Sequence, residues 1–166
     1  LNRLGVDVVL NTKITDFDGK ILICNNKPIE TRTVIWAAGI SGVVFDGIPQ
    51  ESIGRGKRII VNEYNQIKGV DDVYAIGDVS LMTTDQYPNG HPQVAQVAIQ
   101  QGRNLAKNLI NMSRNAHLTP FKYIDRGSMA TIGRNRAVVD LPGIRYGGLM
   151  AWYTWMFVHL MAIVGV

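Results

Sequence analysis

A chain of 166 residues is long enough for one domain with a real core, or for pieces of two. Its net charge of +4 and pI near 9.3 come without a Lys/Arg run or an aromatic-basic motif, so no nucleic-acid partner is expected. The single cysteine, Cys24, excludes an internal disulfide, a CxxC redox pair and a cysteine-rich zinc site, and His91, His117 and His159 lack metal-ligand spacing, so no metal is expected.

The chain opens on Leu1, not Met, and passes at once into a strand-like pattern, GVDVVL, so it reads as a piece of a longer polypeptide with no signal peptide in view. Residues 6–10, 13–17, 21–24, 27–31 and 33–36 are predicted as short strands. Asp18-Gly19 and Asn25-Asn26 tolerate the positive φ of tight hairpins, so the first strands are expected to form an antiparallel meander. TVIW (33–36) differs from them. It is continuously apolar, like a strand covered on both faces, and stops at Ala37-Ala38-Gly39.

Residues 40–58, rich in Gly and Ser and without a period, read as a connection. Short strands are predicted at 59–61 and 73–76. From Pro92 a helix begins, with Val94, Val97/Ala98, Gln101, Leu105 and Leu109 spaced by three and four, widened by Ala95, Ala106 and Ile110. Gln96 and Gln100 share a second face of it. FKY (121–123), SMATI (128–132) and RAVVDL (136–141) are predicted as a three-stranded meander closed by the Pro142-Gly143 turn.

The run LMAWYTWMFVHLMAIVGV (149–166) carries no formal charge apart from His159, and three readings stay open: a membrane span, a buried helix, or a helix partly buried and partly at a membrane interface. Trp152, Tyr153 and Trp155 favour the interface, since amphipathic rings prefer the headgroup level. From residue 112 onward there are six bases and two acids, which suits either a face turned to anionic lipid or an ordinary solvated surface.

One feature carries chemistry. VYAIGDVS (73–80) ends an apolar stretch in Gly77-Asp78, which aims a carboxylate at the crevice where open α/β sheets bind ligands. An acid there accepts hydrogen bonds from ligand hydroxyls and repels phosphate; alternatively Asp78 caps the following turn. Thirteen residues separate Asp78 from Pro92, where a helix N-terminus offers free N–H groups and partial positive charge. Ribityl hydroxyls and the electron-rich edge of an isoalloxazine ring would fit both parts.

Four segments in order, TVIWAAGI (33–40), VYAIGDVS (73–80), AQVAIQQG (95–102) and FKYIDRGSMATIGRNRAVV (121–139), followed by the tryptophan-rich tail, resemble the C-terminal part of type II NADH dehydrogenases. These are single-subunit NADH:quinone oxidoreductases of the FAD-dependent pyridine nucleotide-disulfide oxidoreductase superfamily. The resemblance covers nearly the whole chain; AAG and GD are superfamily-wide, whereas AQVAIQQG with GSMATIG is specific.

The resemblance implies an α/β fold: the C-terminal portion of a flavoprotein with two Rossmann-like FAD/NAD(P) domains, with β-meanders and a C-terminal apolar helix. Residues 1–58 would be the end of the NAD-binding domain and its return connection, 59–141 the closing half of the FAD-binding domain, and 142–166 the start of a membrane-associating region. Asp78 would bind the FAD ribityl chain, with Gly77 permitting close approach, and Ala95, Gln96 and Val97 would present backbone to the pyrimidine edge. Gln96 and Gln100 would line the quinone tunnel, although Gln100 also reads as a plain helix residue. Ala38 and Gly39 would lie on the nicotinamide side. Arg126 stands where the family commonly carries lysine, keeping the charge but replacing a point charge by a planar fork.

The implied activity is NADH to FAD to quinone electron transfer without proton pumping, at the cytoplasmic face of the cell membrane, peripherally bound, with a homodimer among the options. No side chain reads as a nucleophile or general base, so no catalytic side chain is assigned. Neither Gly39-Ile40-Ser41-Gly42 nor Gly54-Arg55-Gly56 has phosphate-fingerprint spacing, so the chain alone is expected neither to hold FAD nor to turn over. The alternatives are a disulfide or sulfide:quinone reductase, or a non-catalytic membrane-associated module.

Overall fold

In the computed structural model, which describes residues 1–164, local turn chemistry builds the first sheet. The Asp18 carboxylate accepts the N–H groups of Ile21 and Lys20 at 2.7 and 2.8 Å, and these bonds hold it below the usual carboxylate range. Asn25 and Asn26 both take positive φ (47° and 61°), as a two-residue hairpin requires. The result is an antiparallel sheet in the order β1 (Ile14–Phe17), β2 (Ile21–Cys24), β3 (Lys27–Glu30). Residues 6–10 and 33–36, expected as strands, form none. An apolar run becomes a strand only where a neighbour supplies ladder partners, and among the described residues none is supplied; Ile35 is 88% exposed.

Two compact units result: residues 1–38 with 126–166, and residues 39–125. The first unit also holds a second antiparallel meander, β6 (Ser128–Thr131), β7 (Ala137–Leu141) and β8 (Ile144–Gly148), with Gly143 at φ 86° in the turn. Its third strand is therefore 144–148, where 121–123 was expected. At its entrance Gly127 takes φ +85°, and a Cβ there would strike the Asp140 carbonyl.

The helix α2 (Leu149–Val164) lies on this second sheet. Ala137, Val139 and Ala151 are buried between them, flanked by Met129, Leu141, Tyr146, Trp152 and Trp155. Tyr146 Oη donates to Thr154 Oγ1 at 2.7 Å, and Thr154 Oγ1 in turn donates to Met150 O at 3.0 Å. Only Ala151 of the helix is fully buried, while Met150, Phe157, Leu160, Ile163 and Val164 are exposed. The helix is therefore not wholly buried in this chain: its first half packs through Ala151, Trp152, Thr154 and Trp155, and 156–164 is exposed on every side. Among the described residues no helix is long and apolar enough to cross a membrane; Gly165 and Val166, which belong to the predicted apolar run, lie outside the described residues.

In the second unit, β4 (Ile59–Ile60) and β5 (Ser80–Leu81) pair in parallel, Ile59 opposite Ser80 and Ile60 opposite Leu81. Ile59, Val61, Ile67, Ala75, Met82 and Phe121 form the core, with Ile48, Val70, Val79 and Tyr123 against it. Residues 73–76 are not a ladder strand; Tyr74 makes a single antiparallel bridge to Gln66. The helix α1 runs Ala95–Ser113 with Val94 as its N-cap, so the period predicts the helix but its start lies three residues beyond Pro92, which stays outside the first turn.

The buried side of α1 is Val97, Gln101 and Asn108, whereas Leu109 is 46% exposed. Amides, not an aliphatic stripe, do much of the packing here. Gln100 Nε2 donates to Ile124 O and its Oε1 accepts Ile124 N–H; Asn108 does the same with Thr119, and Asn104 donates to Thr119 O. With Phe121 N–H donating to Glu63 O, the segment 119–124 finds its backbone partners in helix side chains and a loop. That is why FKY forms no strand.

Candidate functional site

Ile76 is extended (φ −132°, ψ 164°), Gly77 turns left-handed at φ +67°, and Gly77–Val79 make one turn of 3-10 helix before β5 begins at Ser80. Asp78 therefore sits in a turn entering a strand, not beyond the carboxyl end of a ladder strand as the sequence suggested. A Cβ at Gly77 would lie 3.1 Å from Ala98 Cβ, so the missing side chain accommodates α1.

The turn that carries Asp78 is held through Gly77, Ser80 and the Asp78 carbonyl. Gly77 N–H donates to Gln101 Oε1 at 2.7 Å. Ser80 Oγ lies 2.9 Å from Gly77 O and 3.2 Å from Gln101 Oε1, so its one proton serves either acceptor. Arg58 donates through Nε and Nη2 to Ser80 O (2.9 and 2.6 Å) and through Nη2 to His91 O (3.0 Å). Gln93 Nε2 donates to Asp78 O at 3.0 Å. The Asp78 carboxylate itself is exposed and makes no hydrogen bond or ion pair among the described residues.

The electrostatics follow from burial. Arg58 is 9% exposed and its pKa falls below the ordinary value through desolvation, offset in part by the nearby Asp78 charge. Desolvation and then the Arg58 charge push His91 below the ordinary histidine value. His91 is edged by the rings of Tyr87, Phe121 and Tyr123, and neither of its ring nitrogens has a partner among the described residues. Burial, with Asp125 beside it, raises the Tyr123 phenol to about 12.

The N-terminus of α1 lies against the same turn. Val94, its N-cap, offers no side-chain acceptor, and Ala95 is exposed. Val97 is buried and its N–H already donates to Val94 O at 3.0 Å. Gln96 is half-buried one residue into the helix. The structure so brings Gly77, Asp78, Ala95, Gln96, Val97 and Gln100 together within one unit, with the Gln100 amide bonded to Ile124. Gly39, at φ 109°, is exposed in that unit too. Ala38 and Arg126 belong to the other unit, both exposed, Arg126 directly before Gly127.

Sequence reasoning missed Arg58, Ser80, His91 and the inward role of Gln101. Only Gln101 left a signal: it is a polar residue at an apolar-stripe position. The exposed acid on a fixed turn beside an uncapped helix end fits a ligand carrying both hydroxyls and an electron-rich edge, as a flavin does.

With this geometry the chain belongs to the pyridine nucleotide-disulphide oxidoreductase family, whose model matches residues 1–102. The NDH2 C-terminal domain model matches residues 126–166. In sequence the chain is similar to the type II NADH:quinone oxidoreductase NdhA of Mycobacterium tuberculosis, 32% identical over 99% of this chain and 37% of that protein. It thus spans little more than a third of the length of that relative. In fold it is similar to NDH2 from Plasmodium falciparum in complex with NADH (TM-score 0.79, 17% identity, 97% of this chain and 49% of that one). It is also similar to the sulfide:quinone oxidoreductase of Aquifex aeolicus (TM-score 0.69, 17% identity, 95% and 41%).

Proposed function

We propose that this chain is the C-terminal part of an FAD-dependent NADH:quinone oxidoreductase that does not pump protons. The observation that carries the reading is the exposed Asp78 carboxylate, held on the Gly77–Val79 turn against the uncapped N-terminus of α1. FAD, when bound, supplies the two-electron redox centre between NADH and quinone. Asp78 accepts hydrogen bonds from its ribityl hydroxyls, while the first turn of α1, through the backbone of Ala95, Gln96 and Val97, favours negative charge at the ring edge. Gly39 lacks bulk on the nicotinamide side of that cofactor; the roles that the resemblance gives Ala38 and Arg126 fall on residues of the other unit.

Gln96 offers an amide to a quinone carbonyl without competing for protons. Gln100 supports the same wall by fixing Ile124, and one N–H and one lone pair of its amide remain for the quinone. The three-part division at 58/59 and 141/142 into NAD-domain end, FAD-domain half and membrane region follows the same reading. The exposed apolar second half of α2 rests on the cytoplasmic face of the membrane, as a peripheral element of a homodimer.

The test uses the full-length polypeptide. It should purify yellow and reduce quinone with NADH; a colourless, inactive protein refutes the reading. In stopped flow, Gln96→Leu should slow flavin reoxidation by quinone about 10-fold and leave flavin reduction by NADH within about 2-fold. Equal loss of both half-reactions removes the quinone assignment. The fold likeness to a sulfide:quinone oxidoreductase keeps sulfide as a second electron donor to assay. Against it, Cys24, the sole cysteine of the chain, is buried in the β2 hairpin strand.

A further inference from the structure

We propose that Gln101 is a positioning residue for Asp78: its side-chain oxygen fixes the left-handed glycine from which the flavin-binding carboxylate projects. The inference rests on the flavin-site reading above.

Gln101 is 1% exposed, beneath the turn and away from any ligand that Asp78 could reach. Its Oε1 takes the N–H of Gly77 at 2.7 Å, the peptide group one residue before Asp78, and lies 3.2 Å from the hydroxyl of Ser80, two residues after it. Without that oxygen the buried Gly77 N–H has no acceptor. Glycine at φ +67° is also the residue type with the most alternative conformations to return to.

The other end of the amide argues against mere core filling. Gln101 Nε2 is buried with no hydrogen-bond partner among the described residues, so the side chain is placed for what its oxygen holds and not for full satisfaction of its own groups. Arg58 on Ser80 O and Gln93 on Asp78 O complete the frame. Asp78 is left with little freedom beyond its own side-chain torsions, so a ligand that binds it loses little further entropy in ordering the backbone.

The test is a double-mutant cycle on the full-length apoprotein, read as the FAD dissociation constant by fluorescence titration, with thermal melting of each apoprotein as a fold check. Gln101→Met, which keeps the volume and removes the acceptor, should weaken FAD binding about 10-fold, equivalent to about 1.4 kcal/mol. Asp78→Ala should weaken it by at least as much. In the Asp78→Ala background, Gln101→Met should cost less than about 3-fold, because an acceptor that acts through Asp78 has nothing left to position.

Unchanged FAD affinity in Gln101→Met, or the same 10-fold loss in both backgrounds, overturns the proposal. An Asp78→Ala protein that binds FAD as well as the wild type instead overturns the flavin-site reading itself. Should Gln101→Met not yield a folded apoprotein, Ser80→Ala, which deletes the hydroxyl shared by Gly77 O and Gln101 Oε1, carries the same cycle. About a 3-fold loss that vanishes without Asp78 supports the proposal, and an additive or absent effect refutes it.

Discussion

Replacing Gly77 by alanine tests whether the turn beneath Asp78 is built as described. Two costs add. At φ +67° an L-residue is disfavoured by about 1–2 kcal/mol. The new Cβ would stand 3.1 Å from Ala98 Cβ, inside ordinary contact distance, and relief by moving α1 or the turn costs about 1–3 kcal/mol in a packed region. Against these, alanine restricts the unfolded chain and returns about 0.4–1 kcal/mol. The net expectation is a loss of about 1–4.5 kcal/mol, read from urea unfolding of the full-length protein by far-UV circular dichroism. Gly77→Asn separates the terms, since asparagine tolerates left-handed backbone but still carries a Cβ. It should lose less than alanine despite its larger side chain. Gly77→Ala within about 0.5 kcal/mol of the wild type, or asparagine worse than alanine, refutes the reasoning.

Arg58→Met should destabilise by about 2–4 kcal/mol, since the buried carbonyls of Ser80 and His91 lose a charged donor, and a lysine there should recover only part because one ammonium cannot reproduce the fork; recovery in full contradicts this. His91, faced by Arg58, Tyr87, Phe121 and Tyr123, has a folded pKa below its unfolded value. Its contribution is therefore present in full above about pH 6.5 and is lost as pH falls from there through the depressed value. His91→Phe should flatten the stability profile below about pH 6.5, and an unchanged slope assigns the effect elsewhere. Phe157→Glu together with Ile163→Glu, in the exposed second half of α2, should weaken sedimentation of the full-length protein with anionic vesicles by about 10-fold while leaving its melting temperature in place; undiminished binding refutes the membrane role of that segment.

Turn chemistry and helical period are legible in the sequence, although the strand expected at 6–10 and the helix start expected at Pro92 are not found. Asp18-Gly19 and Asn25-Asn26 set their hairpins because the φ values they adopt are properties of those residues themselves. The 3.6-residue period of α1 and the unbroken apolar run of α2 likewise gave both helices. Strands at 33–36 and 121–123 were not so determined. A strand needs a neighbour, and the backbone of 119–124 was claimed by Gln100, Asn104 and Asn108, residues that periodicity alone does not aim inward.

The Gly-Asp pair and the following helix start were enough to place a carboxylate beside a helix N-terminus, and the tertiary structure changed what surrounds it. It moved Asp78 from the end of a strand to a turn before one and set Ala98 against Gly77. It also brought Arg58, Gln93 and Gln101, none of them sequence neighbours of Asp78, onto the carbonyls and amide of that turn. The sequence by itself determined the residue type, the turn chemistry and the helical period, because those act over a few residues. Only the tertiary structure decided which distant donors and acceptors meet the turn, because a hydrogen bond depends on where chain segments return in space.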